Sequence, residues 1–540
     1  MSKRLRWYLA LVALVALSMY VWHHRFGTPE DFIADEDEFK YGSVGADHPM
    51  AMAPIPYWIF KTLPQVVATD AVIEGDVEQA SGKLATKKVF EPRNGKKGFD
   101  AFGMVTEATM PLATGVSPDA FRFDRPIGVS KRTVLGIDLI GFNCSVCHLT
   151  TLRRSADAKQ EIVLAGTGNT MDMEQLFLYM FGAIGSERFT AKAVMDAVDK
   201  AVAAAAAQAP AGQSVSLSWY ERLVYRVVIW VAPKVLSARK KAYFDFITPG
   251  PNRLNAFGPG RVDTWAVYKR LYGAPPERTP VQGIVDHPPI WNGRARPPGM
   301  QMHWDGNTAV FEERNIVSSL ALIGKNIEYM DLPRLTRIAN FSGGYLPPRY
   351  EDLAPTVAGK SAIDFEKADS GAALFKMHCA GCHAPDGIRL GRVEQIATLG
   401  TDPERLHDFS AALVSGINSL ETDVWKLRQF KRQNGYVNNL LDGVWLRGPY
   451  LHNGSVPTVW ELLKKPALRA KRYCRGSDVV DWENLGYVVK IIEDSAKDPV
   501  CGEQFLYDTQ AVGNSNAGHD FGTSLGDGDK RALVEFMKKL

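Results

Sequence analysis

Cys144-Ser145-Val146-Cys147-His148 and Cys379-Ala380-Gly381-Cys382-His383 decide how this chain is read. In each, two cysteines can form thioether links to the vinyl groups of a haem, and the histidine that follows turns back onto the iron as proximal ligand. From the composition of the chain one such pattern arises by chance roughly 0.001 times, so two of them point to covalent attachment and not to a redox Cys-x-x-Cys beside an unrelated histidine. The expectation is two haem c groups held by Cys144, Cys147, Cys379 and Cys382, with His148 and His383 on the irons.

Around these motifs lie 540 residues, 46% of them apolar, enough for two to four domains. With 63 basic and 60 acidic side chains spread along the chain and a formal charge of +3, there is no basic stripe of the kind that nucleic-acid binding needs. Lys3, Arg4 and Arg6 precede an uncharged run over 7–22, followed by His23, His24 and Arg25, which reads as a signal anchor or transmembrane segment over 1–26. The one small-residue cleavage candidate, Ala16-Leu17-Ser18, lies inside the apolar run, so the anchor is expected to stay uncleaved, with cleavage to a soluble periplasmic protein as the alternative. The basic cluster holds the N-terminus in the cytoplasm and places the rest on the periplasmic side of a bacterial inner membrane. Export agrees with c-type haem attachment, and it makes a disulfide between the two remaining cysteines, Cys474 and Cys501, the simplest reading.

Residues 27–120 show no sustained period and read as an irregular N-terminal wrap with short helices. The first haem domain is expected over 121–342, with a helical, alanine-rich insertion around 187–246 and a Pro/Trp-rich block over 288–306 that excludes continuous helix. Gly343-Gly344-Tyr345-Leu346-Pro347-Pro348 opens a linker over 343–360. The second cytochrome c domain is expected over 361–540, where Gly371, Leu374 and Phe375 lie on a helix leading into Cys379, and Leu533, Val534, Phe536, Met537 and Leu540 form the apolar face of a terminal helix that would cross it. The fold class expected is mainly α: two cytochrome c-like haem domains with long irregular insertions and an N-terminal anchor helix.

The group on the far side of each iron decides function, because a second strong ligand makes an electron carrier and an open position admits peroxide or dioxygen. For the second haem, His452 in Pro449-Tyr450-Leu451-His452-Asn453-Gly454 and His519 in Gly518-His519-Asp520-Phe521 are the best placed. No histidine occurs between His148 and His287, so the first haem has no nearby candidate.

The stretch over 446–460, the two haem motifs and His303-Trp304-Asp305-Gly306 together resemble the bacterial di-haem cytochrome c peroxidase superfamily, which includes the di-haem rubber oxygenases. The resemblance spans roughly 125–540 and implies His519 as distal ligand of the second haem, His452 as its structural neighbour, and Trp304 as a bridge between the haems. His303 stands where an aromatic is usual and could act as an acid or base, or as a ligand. Counting on from Trp304, the places of the peroxidase glutamine and glutamate hold Arg314 and Gly324, so the expected carboxylate is missing unless Glu312 or Glu313 replaces it. That departure looks like the rubber-oxygenase branch, although the phenylalanine of that branch falls at Ser319.

The resulting expectation is a membrane-anchored periplasmic di-haem oxidoreductase, peroxidase-like, with a reactive first haem and a relay second haem. Its candidate catalytic residues are His303, Trp304 and Arg314, its substrate peroxide or dioxygen, and its electron source a small cytochrome or quinol. A rubber-oxygenase-type dioxygenase and a non-enzymatic electron-transfer cytochrome are the alternatives.

Overall fold

The computed structural model describes residues 27–49, 51, 55–78, 84–93, 95–106, 124–209, 214–238, 255–272, 283–355, 361–493 and 500–540. The expected anchor over 1–26 lies outside them. Among the described residues no helix is long and apolar enough to cross a membrane.

Helix makes up 39% of the described residues and strand 14%, so the mainly α expectation does not hold. The difference is concentrated at the first Cys-x-x-Cys-His motif, which is carried by sheet and not by a helix pair. Strands Val129–Val134 and Ile137–Phe142 form a hairpin flanked by Thr28–Pro29 and Ile55–Pro56 in a four-stranded antiparallel sheet. The turn residues Leu135 and Gly136 both have positive φ, +54° and +77°, the twist that suits a two-residue hairpin loop. Directly after the second strand, Asn143 accepts from Ser145 N at 3.0 Å and donates to the carbonyls of Phe39 and Gly42, which pins the 3₁₀ turn Cys144–Val146 to the N-terminal segment. Strand Leu149–Leu152 then pairs with Glu161–Leu164. The N-terminal wrap carries short helices, Asp35–Tyr41 and Tyr57–Val66, and beyond what was expected a hairpin of Ile73–Glu78 with Leu84–Phe90.

The second motif stands on the expected helix pair. Asp364 caps the helix Phe365–His378 by accepting from Lys367 N, and this helix crosses the terminal helix Asp527–Met537. They touch at Gly371, where a Cβ would stand 1.9 Å from the carbonyl oxygen of Ala532, and Phe375 packs on Phe536 with ring centroids 5.0 Å apart. Helix propensity alone would make Gly371→Ala stabilising by up to about 1 kcal/mol. The backbone clash outweighs that gain, so denaturant unfolding of the variant is expected to show a loss of about 1–3 kcal/mol.

A single hydrophobic core takes in residues on both sides of 343–360, among them Trp265, Trp291 and Leu320 before it and Trp445, Leu485 and Leu533 after it. Cys474, on strand Arg472–Arg475 of a small three-stranded sheet, forms a disulfide with Cys501.

Candidate functional site

Both motif histidines are oriented in the same way by backbone carbonyls. His148 Nδ1 lies 2.8 Å from the Pro288 carbonyl oxygen and His383 Nδ1 lies 2.6 Å from that of Asn439. A carbonyl can only accept, so each Nδ1 carries the proton and each Nε2 presents its lone pair. Burial pushes both imidazoles below their usual pKa, that of His148 to about 3, so the neutral ligand form prevails. Cys144, Cys147, Cys379 and Cys382 are free of disulfides, unlike Cys474 and Cys501.

His383 and His519 line one cavity with ring centroids 6.3 Å apart. Two imidazoles bound to opposite sides of one metal ion through bonds of about 2 Å hold their ring centres about 6 Å apart. The loop that delivers His519 is tightly held: Gly518 and His519 have φ of +75° and +52°, His519 N donates to Leu399 O at 2.7 Å, and Arg469 Nη1 donates to the carbonyls of Asn516 and Gly518. His452, by contrast, is occupied, with its ring stacked on Tyr436 at 4.0 Å and its Nε2 3.0 Å from the Tyr436 hydroxyl.

His287 lies 6.4 Å from His148, centroid to centroid, but its place is different. It directly precedes Pro288, whose carbonyl sits on the Nδ1 edge of His148, and a Cβ on Gly168 would stand 2.9 Å from His287 Nδ1 and 2.2 Å from the Cys147 carbonyl oxygen, so this ring packs beside the backbone of the first motif.

The same cavity extends past Trp304 to His303, Phe311 and Arg314. Trp304 donates from Nε1 to the Asp286 carbonyl at 3.0 Å and packs against the small cluster of Leu399, Leu406 and Tyr436, as does Phe521, which meets the His519 ring edge-on at 5.3 Å. Asn307 donates through its amide nitrogen to both carboxylate oxygens of Asp305, so its oxygen faces His303 Nδ1, 2.8 Å away, and must accept. His303 is therefore protonated on Nδ1 with a lone pair on Nε2. Burial and the Arg314 charge push its pKa down to about 4.

Two carboxylates line the cavity, and an arginine holds each: Asp286 by Arg475 at 2.8 Å and Glu394 by Arg389 at 3.0 Å. Glu312 is exposed, and the Glu313 carboxylate accepts from the backbone N–H groups of Arg428 and Gln429, so neither replaces the missing glutamate. Ser319 is buried and bonded to the Asn315 carbonyl, while Phe311 is the aromatic that this helix, Phe311–Ile323, turns into the cavity.

Three guanidinium groups, Arg296, Arg314 and Arg447, also line the cavity. Arg447 pairs with Asp442 at 3.0 Å, and Arg296 and Arg314 have no carboxylate partner among the described residues. Burial and the charges of Arg314 and Arg447 lower the Arg296 pKa to about 10. Free cysteines, oriented imidazoles and half-buried cations lining the cavity, two of them without a paired carboxylate among the described residues, fit a haem, which brings two carboxylates of its own. Arg296, Arg447 and the carbonyls of Pro288 and Asn439 carried no sequence signal, because they reach the site from separate segments.

Residues 435–474 match the family model described as RoxA-like, cytochrome c-like. Over that segment the chain is similar to a cytochrome c-like domain. The match supports haem c as cofactor and the rubber-oxygenase-like branch of the resemblance. Among curated proteins the chain is similar to the uncharacterized protein y4iM of Sinorhizobium fredii, at 31% identity over 271 residues covering 45% of this chain and 59% of that protein. It is also similar to the uncharacterized protein y4iJ of the same organism, at 28% identity over 262 residues covering 36% of this chain and 42% of that protein. The chain thus spans about half the length of the curated relatives it matches.

Proposed function

We propose that this protein is a two-haem c-type oxidoreductase that uses dioxygen at its first haem in the manner of the rubber oxygenases. The haems supply the redox chemistry; Cys144, Cys147 and His148 would hold the first and Cys379, Cys382, His383 and His519 the second. The observation that carries the reading is the absence, among the described residues, of a free carboxylate in the cavity around His303 and Arg314, since Asp286, Glu394 and Glu313 are all engaged elsewhere. Peroxide cleavage of the kind the resemblance implies calls for a free carboxylate beside the departing oxygen, and a cavity without one suits oxidation of an apolar substrate by dioxygen.

In this reading the chain orients the proximal imidazoles, neutralises the haem carboxylates with Arg296, Arg314 and Arg447, and passes electrons by way of Trp304. The electron source would be a small cytochrome or a quinol. The Cys474–Cys501 disulfide suits an oxidising compartment such as the periplasm.

One observation favours peroxide instead: His303 presents an unprotonated Nε2 in the same cavity as the Arg314 cation, a pair that can take a proton from peroxide and steady the charge left behind. The two readings separate in one experiment. Haem-loaded protein incubated with polyisoprene is expected to consume dioxygen and release shorter carbonyl-ended products, and His303→Ala is expected to retain most of that activity. Rapid peroxide turnover that falls at least tenfold in His303→Ala, with no dioxygen-dependent product, would establish the peroxidase instead.

A further inference from the structure

The helix Trp219–Ala238 is apolar on two opposite faces, and only one of them is covered. Tyr225 and Ile229 are buried in the core cluster that also includes Phe60, Tyr179 and Val198. On the other side Trp219, Leu223, Val227 and Trp230 are exposed to 77%, 53%, 52% and 66%, and their spacing of four, four and three residues sets them in one stripe. Among the described residues these are the only exposed tryptophans, and no other helix carries more than two exposed large hydrophobic side chains.

We propose that this face docks the protein onto an anionic lipid bilayer, with the helix lying in the plane of the headgroups. Charge is the first reason. Arg226 and Lys234 flank the stripe with no carboxylate partner among the described residues, and the sequence continues Arg239-Lys240-Lys241. The helix has a single acid, Glu221, and it is turned back into the N-terminal cap: Glu221 accepts from Ser218 N at 2.7 Å while Ser218 Oγ accepts from Glu221 N at 3.2 Å. Arg222 is the one cation spent internally, on Asp199 of the neighbouring helix at 2.6 Å. The exposed face therefore presents apolar and cationic groups only.

Residue type is the second reason. Tryptophan rings combine an apolar body with an N–H donor and settle at headgroup depth, and a helix with such an apolar face and basic flanks lies on a bilayer. Lys234 Nζ stands over the Trp230 ring, 3.1 Å from its centroid, which brings a cation and an interfacial aromatic to the same spot. Arg226, Lys234 and Pro233 on a 20-residue helix argue against insertion across the bilayer and agree with a surface position. This inference is independent of what the haems do.

The test is flotation of the haem-loaded full chain with vesicles of phosphatidylcholine containing phosphatidylglycerol, against vesicles of phosphatidylcholine alone. Binding is expected to the anionic vesicles, to weaken with salt, and to fall about tenfold or more in Trp219→Glu/Trp230→Glu and in Arg226→Glu/Lys234→Glu. All four positions are on the surface, so retained absorption and melting temperature show that the variants fold. A nitroxide on Leu223→Cys is expected to become accessible to oxygen dissolved in lipid only when anionic vesicles are present. Equal binding to both vesicle types, or binding that survives in Trp219→Glu/Trp230→Glu and so comes from another segment, overturns the proposal. So does a nitroxide already immobile without lipid, whether a second copy or the chain itself covers the face.

Discussion

Replacing Cys379 and Cys382 together by serine is expected to halve the covalent haem, leaving one haem per chain attached through Cys144 and Cys147. The two attachment motifs share no secondary-structure element. The first is a 3₁₀ turn fixed by Asn143 to the N-terminal segment, and the second continues the helix Phe365–His378. The orienting carbonyls, Pro288 and Asn439, also come from different segments. Loss of one site therefore leaves the other intact, and the reciprocal Cys144→Ser/Cys147→Ser chain is expected to retain the haem at Cys379 and Cys382. Mass spectrometry of the polypeptide and the pyridine haemochrome spectrum measure it. A wild-type chain with a single haem, unaffected by one of the two double substitutions, would end the two-haem reading.

Gly518→Ala is expected to displace His519, the sixth ligand proposed for the second haem. Gly518 has φ of +75°, and a Cβ there would stand 2.3 Å from the Leu399 carbonyl oxygen, the same oxygen that accepts from His519 N. Left-handed strain costs about 1 kcal/mol, and the clash with backbone cannot be relieved by rotating a side chain. The loop must move, and His519 with it. Electron paramagnetic resonance of the oxidised protein is expected to show one low-spin signal replaced by a high-spin one, as in His519→Ala, with added imidazole restoring the low-spin form in His519→Ala. Should both variants keep the wild-type spectrum while His452→Ala loses a low-spin signal, the ligand is His452, and its stacking on Tyr436 must rearrange when haem binds.

What could be read from the sequence was local. The two haem motifs, the helices bearing Gly371 and Phe536 and the leftover pair Cys474 and Cys501 each announce themselves within a few residues. The β surroundings of the first motif did not, because strands of two to seven residues such as Ile55–Pro56 and Leu149–Leu152 are too short for an alternating pattern to stand out. The acceptors that orient His148 and His383 were out of reach for another reason: they are main-chain oxygens, which every residue has. Arg296 and Arg447 are separated by about 150 positions and converge only through the fold. The lone pair on His303 Nε2 depends on Asp305 turning the Asn307 amide, a relation of three side chains that spacing does not reveal.

The stretch that follows strand Arg261–Asp263 in its small sheet ties the two halves of the site together. Within three residues, Asp286 N donates to His452 O, Asp286 O accepts from Trp304 Nε1, and Pro288 O accepts from His148 Nδ1. A shift of this strut by a few tenths of an ångström lengthens the bond that sets the basicity of the first proximal imidazole and tilts the indole beside the second site at the same moment. With haems held at both motifs as proposed, the two redox potentials would be coupled mechanically, so that a variant disturbing the packing of His452 against Tyr436 is expected to shift the potential of the haem at His148 as well.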